Sequence, residues 1–203
     1  MLEGKTIAVI GGSGKLGGAL AGRWQKAGLN VIIGSRAGMP NAAAAALADI
    51  VVVTVPFAAQ AATIADIASQ VAGKIVIDTT VPLVPPKVMR VQLPPEGSAA
   101  MAAKALLGDG VTVISGFHNV AAHKLATDQY VDCDVLVFGD DKVARGIGIA
   151  LAEAAGLRGL HGGALINSAA AEALTSVLIF LNKTYKVDGA GIKITGTLID
   201  PVD

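Results

Sequence analysis

The feature that most constrains this 203-residue chain stands at its start. Gly12-Ser13-Gly14-Lys15-Leu16-Gly17 follows directly on the apolar run Thr6–Ile10 and directly precedes a segment of helical pattern, Leu16 to Ala27. A strand, a G-x-G-x-x-G turn and a helix in that order form the opening unit of a dinucleotide-binding fold. Gly12 is expected to allow the tight turn, Gly14 to let a pyrophosphate approach the backbone, and Gly17 to let the helix pack close to the strand. The helix N-terminus then offers unpaired N–H groups and a partial positive charge to the phosphates.

The exit of the second apolar run refines the ligand. An NAD site places Asp or Glu there, about 20 residues past the loop, to take the ribose hydroxyls. Here Val31–Ile33 ends in Gly34-Ser35-Arg36. A carboxylate would repel a 2′-phosphate, whereas Arg36 can pair with one bidentately and Ser35 can donate to it. The expected cofactor is therefore NADP(H).

Further β-branched runs follow at Ile50–Val55, Ile75–Ile77, Val111–Ile114 and Val135–Phe138, separated by alanine-rich stretches of helical length. Continuous apolar runs mark strands covered on both faces. Their alternation with helices predicts an α/β fold: a Rossmann-type, doubly wound, mostly parallel sheet. Only about a dozen residues separate Arg36 from Asp49, enough for a minimal crossover in which Asn41 caps a short helix Ala42–Ala48. Gly28 is the expected left-handed stop of the first helix. Helices are expected at Phe57–Gln70, Glu96–Leu107 and Lys142–Ala155; Pro82–Pro95, with five prolines, must be irregular. Gly156–Gly163 reads as a glycine-rich connection, Ala164–Lys186 as one long helix, and Gly191–Thr197 as a closing strand. The composition shift near Asp140 suggests an NADP(H)-binding domain over residues 1–140 and a small C-terminal helical extension over residues 141–203.

Sixteen basic residues balance sixteen acidic ones, so nothing points to a nucleic-acid partner. Cys133 is the lone cysteine, which excludes an internal disulfide and suits a reducing compartment. No apolar leader opens the chain, and the late run Leu174–Leu181 falls short of the ~20 residues of a bilayer span, so a cytoplasmic protein without a membrane partner is expected. Leu174, Val177, Leu178 and Leu181 recur at helical spacing, with Ile179 and Phe180 widening the apolar surface. One side must pack inward; the other predicts a homodimer.

The chain as a whole resembles the F420-dependent NADP reductases. The likeness rests on Ile10–Gly17, Ile33-Gly34-Ser35-Arg36, Thr54-Val55-Pro56, Pro82-Leu83-Val84-Pro85, and Phe117-His118-Asn119-Val120-Ala121-Ala122. It continues through Val137-Phe138-Gly139-Asp140-Asp141, Asn167-Ser168 and Glu172-Ala173-Leu174-Thr175. The family passes a hydride between NADP(H) and the deazaflavin coenzyme F420. The resemblance implies that Ser13, Gly14, Lys15 and Leu16 wrap the pyrophosphate while Ser35 and Arg36 hold the 2′-phosphate. It places Thr54, Val55, Pro56 and Phe57, with Val84 and Ala122, at the nicotinamide end. His118 and Val120 would border the deazaflavin ring, and Thr175 would close that pocket. Two departures stand out: the segment between the second and third strands is much shorter than in the family, and Lys15 replaces a small polar residue.

Hydride transfer between stacked rings asks the protein for distance, orientation and dryness more than for reacting side chains. His118, just past a strand's end, is the candidate to steady developing charge, against the alternative of a packed histidine bonded to backbone. His123 and His161 read as structural, the former on a helix and the latter in a loop. Asp78 reads as a turn cap more than a substrate ligand, and Phe57 and Phe117 as packing residues more than ring stackers. Two other functions keep the same fold: NADPH-dependent reduction of a small keto or imino acid, and a non-catalytic NADP(H) sensor.

Overall fold

The computed structural model describes residues 1–199. Seven strands form one sheet: β1 (Thr6–Ile10), β2 (Asn30–Gly34), β3 (Ile50–Val53), β4 (Ile75–Asp78), β5 (Thr112–Ser115), β6 (Asp134–Gly139) and β7 (Arg158–Gly163). The helices are α1 (Lys15–Lys26), α2 (Asn41–Leu47), α3 (Phe57–Ile67), α4 (Ala99–Leu107), α5 (Ala122–Leu125), α6 (Lys142–Ala154) and α7 (Ser168–Tyr185). The strand order is β2-β1-β3-β4-β5-β6-β7. Every neighbouring pair is parallel except β5 and β6.

The expected double winding follows from the alternation of side chains along each strand. On β1, Ile7 and Val9 face a core built with Leu20 and Trp24 of α1, Leu125 of α5 and Leu151 of α6. Ala8 and Ile10 face a second core with Ala44 and Ala45 of α2, Ile64 and Ile67 of α3, and Ala103 of α4. Trp24 also donates its indole N–H to the Leu151 carbonyl at 2.8 Å, so the largest core side chain is polar-satisfied.

Several expectations need correction. The glycine-rich stretch after residue 156 is largely strand, β7, which puts His161 in the sheet and not in a loop. Its glycines are imposed by packing: a Cβ on Gly159 would come within 3.0 Å of the Ile149 Cα, and one on Gly162 within 2.4 Å of the Phe138 ring. Residues 191–197 form no strand. They lie beside β6 through single bonds, Asp134 N–H to the Ile192 carbonyl at 2.8 Å and Ile194 N–H to the Asp134 carboxylate at 2.6 Å. Arg158 clamps the other side of that buried carboxylate at 2.6 and 2.7 Å. Asn41 does not cap α2; it is the first helical residue, after Pro40.

The long α7 is docked by polar bonds. Glu172, 1% exposed, accepts N–H bonds from Ala99 at 2.6 Å and Ala100 at 3.1 Å, the open first turn of α4. Ser98 caps the same turn through Met101 N–H and accepts from Ser168 Oγ at 2.9 Å. The continuous segment Leu165–Tyr185 is long and apolar enough by length and composition to cross a membrane. That exceeds the Leu174–Leu181 core visible in the sequence. Its inner side carries the buried Ser168, Ala171, Glu172, Ser176 and Leu178, while Ile166, Val177 and Phe180 are exposed.

Burial drives the Glu172 carboxyl up to about 7, against the pull of its two N–H donors, and drives Asp78 up to about 6. An acid whose pKa rises on folding holds its proton more tightly in the folded state. Its stabilisation is full below the ordinary carboxyl range and is lost as pH climbs through the folded value. Melting temperature is therefore expected to fall by roughly 5–10 °C between pH 5 and pH 8. Glu172→Gln should flatten that slope without abolishing it, because Asp78 remains; a slope unchanged in the variant would contradict the assignment.

Candidate active site

The sheet reverses its winding between β1 and β3, the strands that follow one another in space but not in sequence. Open α/β sheets collect ligands in the crevice outside the carboxyl ends of such strands. Two adjoining clefts occupy that place. One, of about 410 Å³, is lined by Gly11, Ser13, Gly14, Ser35, Arg36, Asn41, Thr54, Val55, Pro56, Ala59 and Thr63. The other, of about 280 Å³, is lined by Gly14, Lys15, Leu16, Thr54, Val55, Pro56, Phe57, Thr79, Thr80, Val81 and Leu83. They share Gly14 and Thr54 to Pro56, so together they form one groove across the exits of β1 and β3.

The turn after β1 is set by glycines in a different division of labour from the expected one. The left-handed residue is Gly11, at φ +77°, which the G-x-G-x-x-G pattern does not single out. A Cβ there would also lie 2.6 Å from the Val55 Cγ1. Gly12 supplies space instead, since a Cβ would meet Ile33 Cγ2 at 2.8 Å. Gly17 is required as expected for close packing: its Cβ would stand 2.4 Å from Thr54 Oγ1. That hydroxyl is itself fixed to the Ile10 carbonyl at 2.9 Å.

The helix α1 has Gly14 at its N-cap, so it has no side-chain cap, and no acidic residue stands in its first turn. Its opening amides, at Lys15 and Leu16, are left toward the groove, the arrangement that receives an anion. Lys15 makes no bond or ion pair with any described residue, and neither does the exposed Arg36 guanidinium. Ser35 Oγ accepts from Gly38 N–H at 3.0 Å, which holds the hydroxyl beside Arg36 with its own proton still to give. A concave groove with an uncapped helix start, a free lysine and a free guanidinium fits a phosphorylated dinucleotide.

A second group gathers past β5. Phe117 sits at φ +64°, an uncommon value for a residue with a side chain, and buries its ring edge-on against Trp24 with centroids 5.9 Å apart. It is a core residue, as expected. The next residue, His118, is 6% exposed, its ring 6.2 Å from that of Phe138. Neither ring nitrogen has a partner among the described residues, and burial pushes the imidazole down to about 3. It is therefore neutral near pH 7, with one N–H to donate. Thr175 Oγ1 donates to the His118 carbonyl at 3.0 Å, and Asn119 Nδ2 donates to the Ala171 carbonyl at 2.8 Å. Thr175 thus fastens α7 to this turn. Val120 packs against the first core, Ala122 opens α5, and Val84 is exposed on the proline-rich loop. None of His118, Val120, Ala122, Thr175 and Val84 lines the two clefts.

Asp78 caps the turn, as expected, accepting from Thr80 N–H at 3.0 Å. It also takes a bond from Gln60, a buried partner that no motif marked. His123 pairs with Asp188 at 2.8 Å on the surface.

The chain matches, over residues 6–82, the family described as NADP oxidoreductase coenzyme F420-dependent. It is 40% identical over 218 aligned positions to the F420-dependent NADP reductase of Methanothermobacter thermautotrophicus, covering 93% of this chain and 94% of the relative. It is 35% identical to the protein of that name from Methanocaldococcus jannaschii, covering 93% and 97%. A crystal structure from Arthrobacter sp. FB24, provisionally described as an F420-dependent NADP-reductase, superposes with a TM-score of 0.84 at 25% identity, covering 95% of this chain and all of that one. With such identity along nine tenths of its length, the chain belongs to the F420-dependent NADP reductase family.

Proposed function

We propose that this protein transfers a hydride between NADP(H) and coenzyme F420. One observation carries the reading: an uncapped helix start and an unpaired guanidinium face the same groove, on a chain whose relatives are named for that reaction. When bound, the nicotinamide and the deazaflavin supply hydride donor and acceptor. The protein's own residues bind, orient and exclude water.

Ser13, Gly14, Lys15 and Leu16 grip the diphosphate, and Gly12 and Gly17 act by the space they leave. Ser35 and Arg36 take the 2′-phosphate. Thr54, Val55, Pro56 and Phe57 shape the nicotinamide end, with Val84 and Ala122 flanking it. The acceptor side is assigned to His118, Val120 and Thr175, where a neutral imidazole N–H is the donor available to charge developing on the reduced ring. Residues 1–140 serve NADP(H), and residues 141–199 close the acceptor side; the last four positions of the expected extension, 200–203, lie outside the described residues.

The outward side of α7 is read as a dimer face. Val177 is 42% and Phe180 49% exposed, on a helix whose opposite side is held by buried polar bonds, and Ile166, in the turn leading into it, is 56% exposed. A second copy is the self-complementary way to cover such a stripe. A homodimer in the cytoplasm, with small-molecule partners only, completes the reading; the buried free thiol of Cys133 accords with a reducing compartment.

Mixing the purified protein with NADPH and oxidised F420 should give NADPH oxidation, with none when a keto or imino acid replaces F420. Tight NADPH binding without turnover in any mixture would leave a sensor instead. Arg36→Ala should weaken NADPH binding by roughly 1.5–3 kcal/mol and leave NADH nearly untouched; equal losses for both would refute the 2′-phosphate assignment. Replacing Val177 and Phe180 together by Asp should convert a dimer to a monomer in sedimentation, and a wild-type monomer would end the dimer reading.

A further inference from the structure

The short crossover between β2 and β3 brings the first residue of α2 into the adenosine half of the groove. Asn41 lines the larger cleft together with Ser35 and Arg36. Its side chain makes no hydrogen bond with any described residue, and Oδ1 is buried without a partner. That oxygen lies against the end of β2, where a Cβ on Gly34 would come within 2.9 Å of it. Asn41 Nδ2 has no partner among the described residues either and, unlike Oδ1, is not shut in.

The loop geometry explains why the amide stands there. Ser35 N–H donates to the Met39 carbonyl at 2.8 Å, and Gly38 N–H to Ser35 Oγ at 3.0 Å, so residues 35–39 fold back on themselves. Arg36 and Asn41, five positions apart, consequently reach the same mouth. A longer crossover would carry the helix start away from it.

We propose that Asn41 is a second specificity-determining residue, its Nδ2 donating to the 2′-phosphate that Arg36 neutralises. This rests on the NADP(H) reading of the groove. A neutral amide adds direction where the guanidinium adds charge. A carboxylate of the same shape would reverse the preference, repelling the phosphate and accepting from the two hydroxyls of an unphosphorylated ribose.

The test is calorimetric affinity for NADPH and NADH in wild type, Asn41→Ala, Asn41→Asp, Asn41→Lys and Arg36→Ala. Asn41→Ala should weaken NADPH roughly tenfold with NADH unchanged. Asn41→Asp should lower the NADPH-to-NADH preference by roughly a hundredfold, and Asn41→Lys should raise it. NADH affinity reports any damage to the fold, since a structural fault weakens both nucleotides alike. Parallel losses, or no change in any Asn41 variant while Arg36→Ala selectively loses NADPH, would overturn the proposal and leave the groove reading standing. Failure of the wild type to bind NADPH would overturn both.

Discussion

The carbonyl of Gly34, at the end of β2, accepts two N–H bonds, from Gly11 at 3.0 Å and Gly12 at 3.1 Å. This pair of hydrogen bonds to one oxygen ties the turn after β1 to the exit of β2, and the position of everything in the groove follows from it. The phosphate turn and the Ser35-Arg36 pair become parts of one rigid corner. On the other side, Thr54 N–H and its hydroxyl both reach the Ile10 carbonyl at 2.9 Å, drawing in the exit of β3. Three strand ends therefore converge within the reach of one dinucleotide. Such convergence leaves no room for side chains at the turn, which is why Gly11, Gly12 and Gly17 are all glycine.

The acceptor side is organised by different physics. There the backbone is not squeezed, and position comes from polar groups buried between elements. Glu172 closes the open turn of α4, Thr175 holds the His118 carbonyl, and Asn119 holds the Ala171 carbonyl. All three bonds involve one helix, so the turn carrying His118 and the exposed face of Val177 and Phe180 belong to a single rod. The buried acids are costly in their charged form, which makes this docking the pH-sensitive part of an otherwise apolar fold.

Most of the first 80 residues were legible, the start of α2 and the left-handed Gly11 excepted, because local pattern and tertiary role agree there. Ile7–Ile10 is apolar throughout since it is covered on both faces, and the expected bounds Thr6–Ile10 match the strand. The later chain is where composition misleads. Arg158–Gly163 looks like a connection because three of its six residues are glycine, yet two of those glycines make way for Ile149 and Phe138. Residues 191–197 have the β-branched look of a strand, but the ladder they would join is replaced by one backbone bond, from Asp134 N–H to the Ile192 carbonyl, and one from Ile194 N–H to the Asp134 carboxylate. The antiparallel entry of β6 left no trace in the residues, because either direction buries the same alternating faces. At the site, the phosphate turn and Arg36 were readable from spacing. Asn41 and Gln60 were not, since their roles depend on which helix start or helix face meets the sheet.

The compressed crossover, the alanine run and the appearance of an amide in the cleft are one constraint seen three ways. A connection of this length can only lift a two-turn helix over the sheet, and such a helix must lie close to β1 and β2. Ala44 and Ala45 are fully buried beneath it, and a Cβ on Gly34 would already meet Ala44 Cβ at 3.2 Å. Larger residues would push the helix outward, so alanine is required where a longer crossover could carry bulk and charge. The same closeness fixes the first helical residue at the mouth of the cleft, within the ring of Ser35 and Arg36. The loss of chain length thus selects both the packing residues beneath the helix and the polar group at its tip.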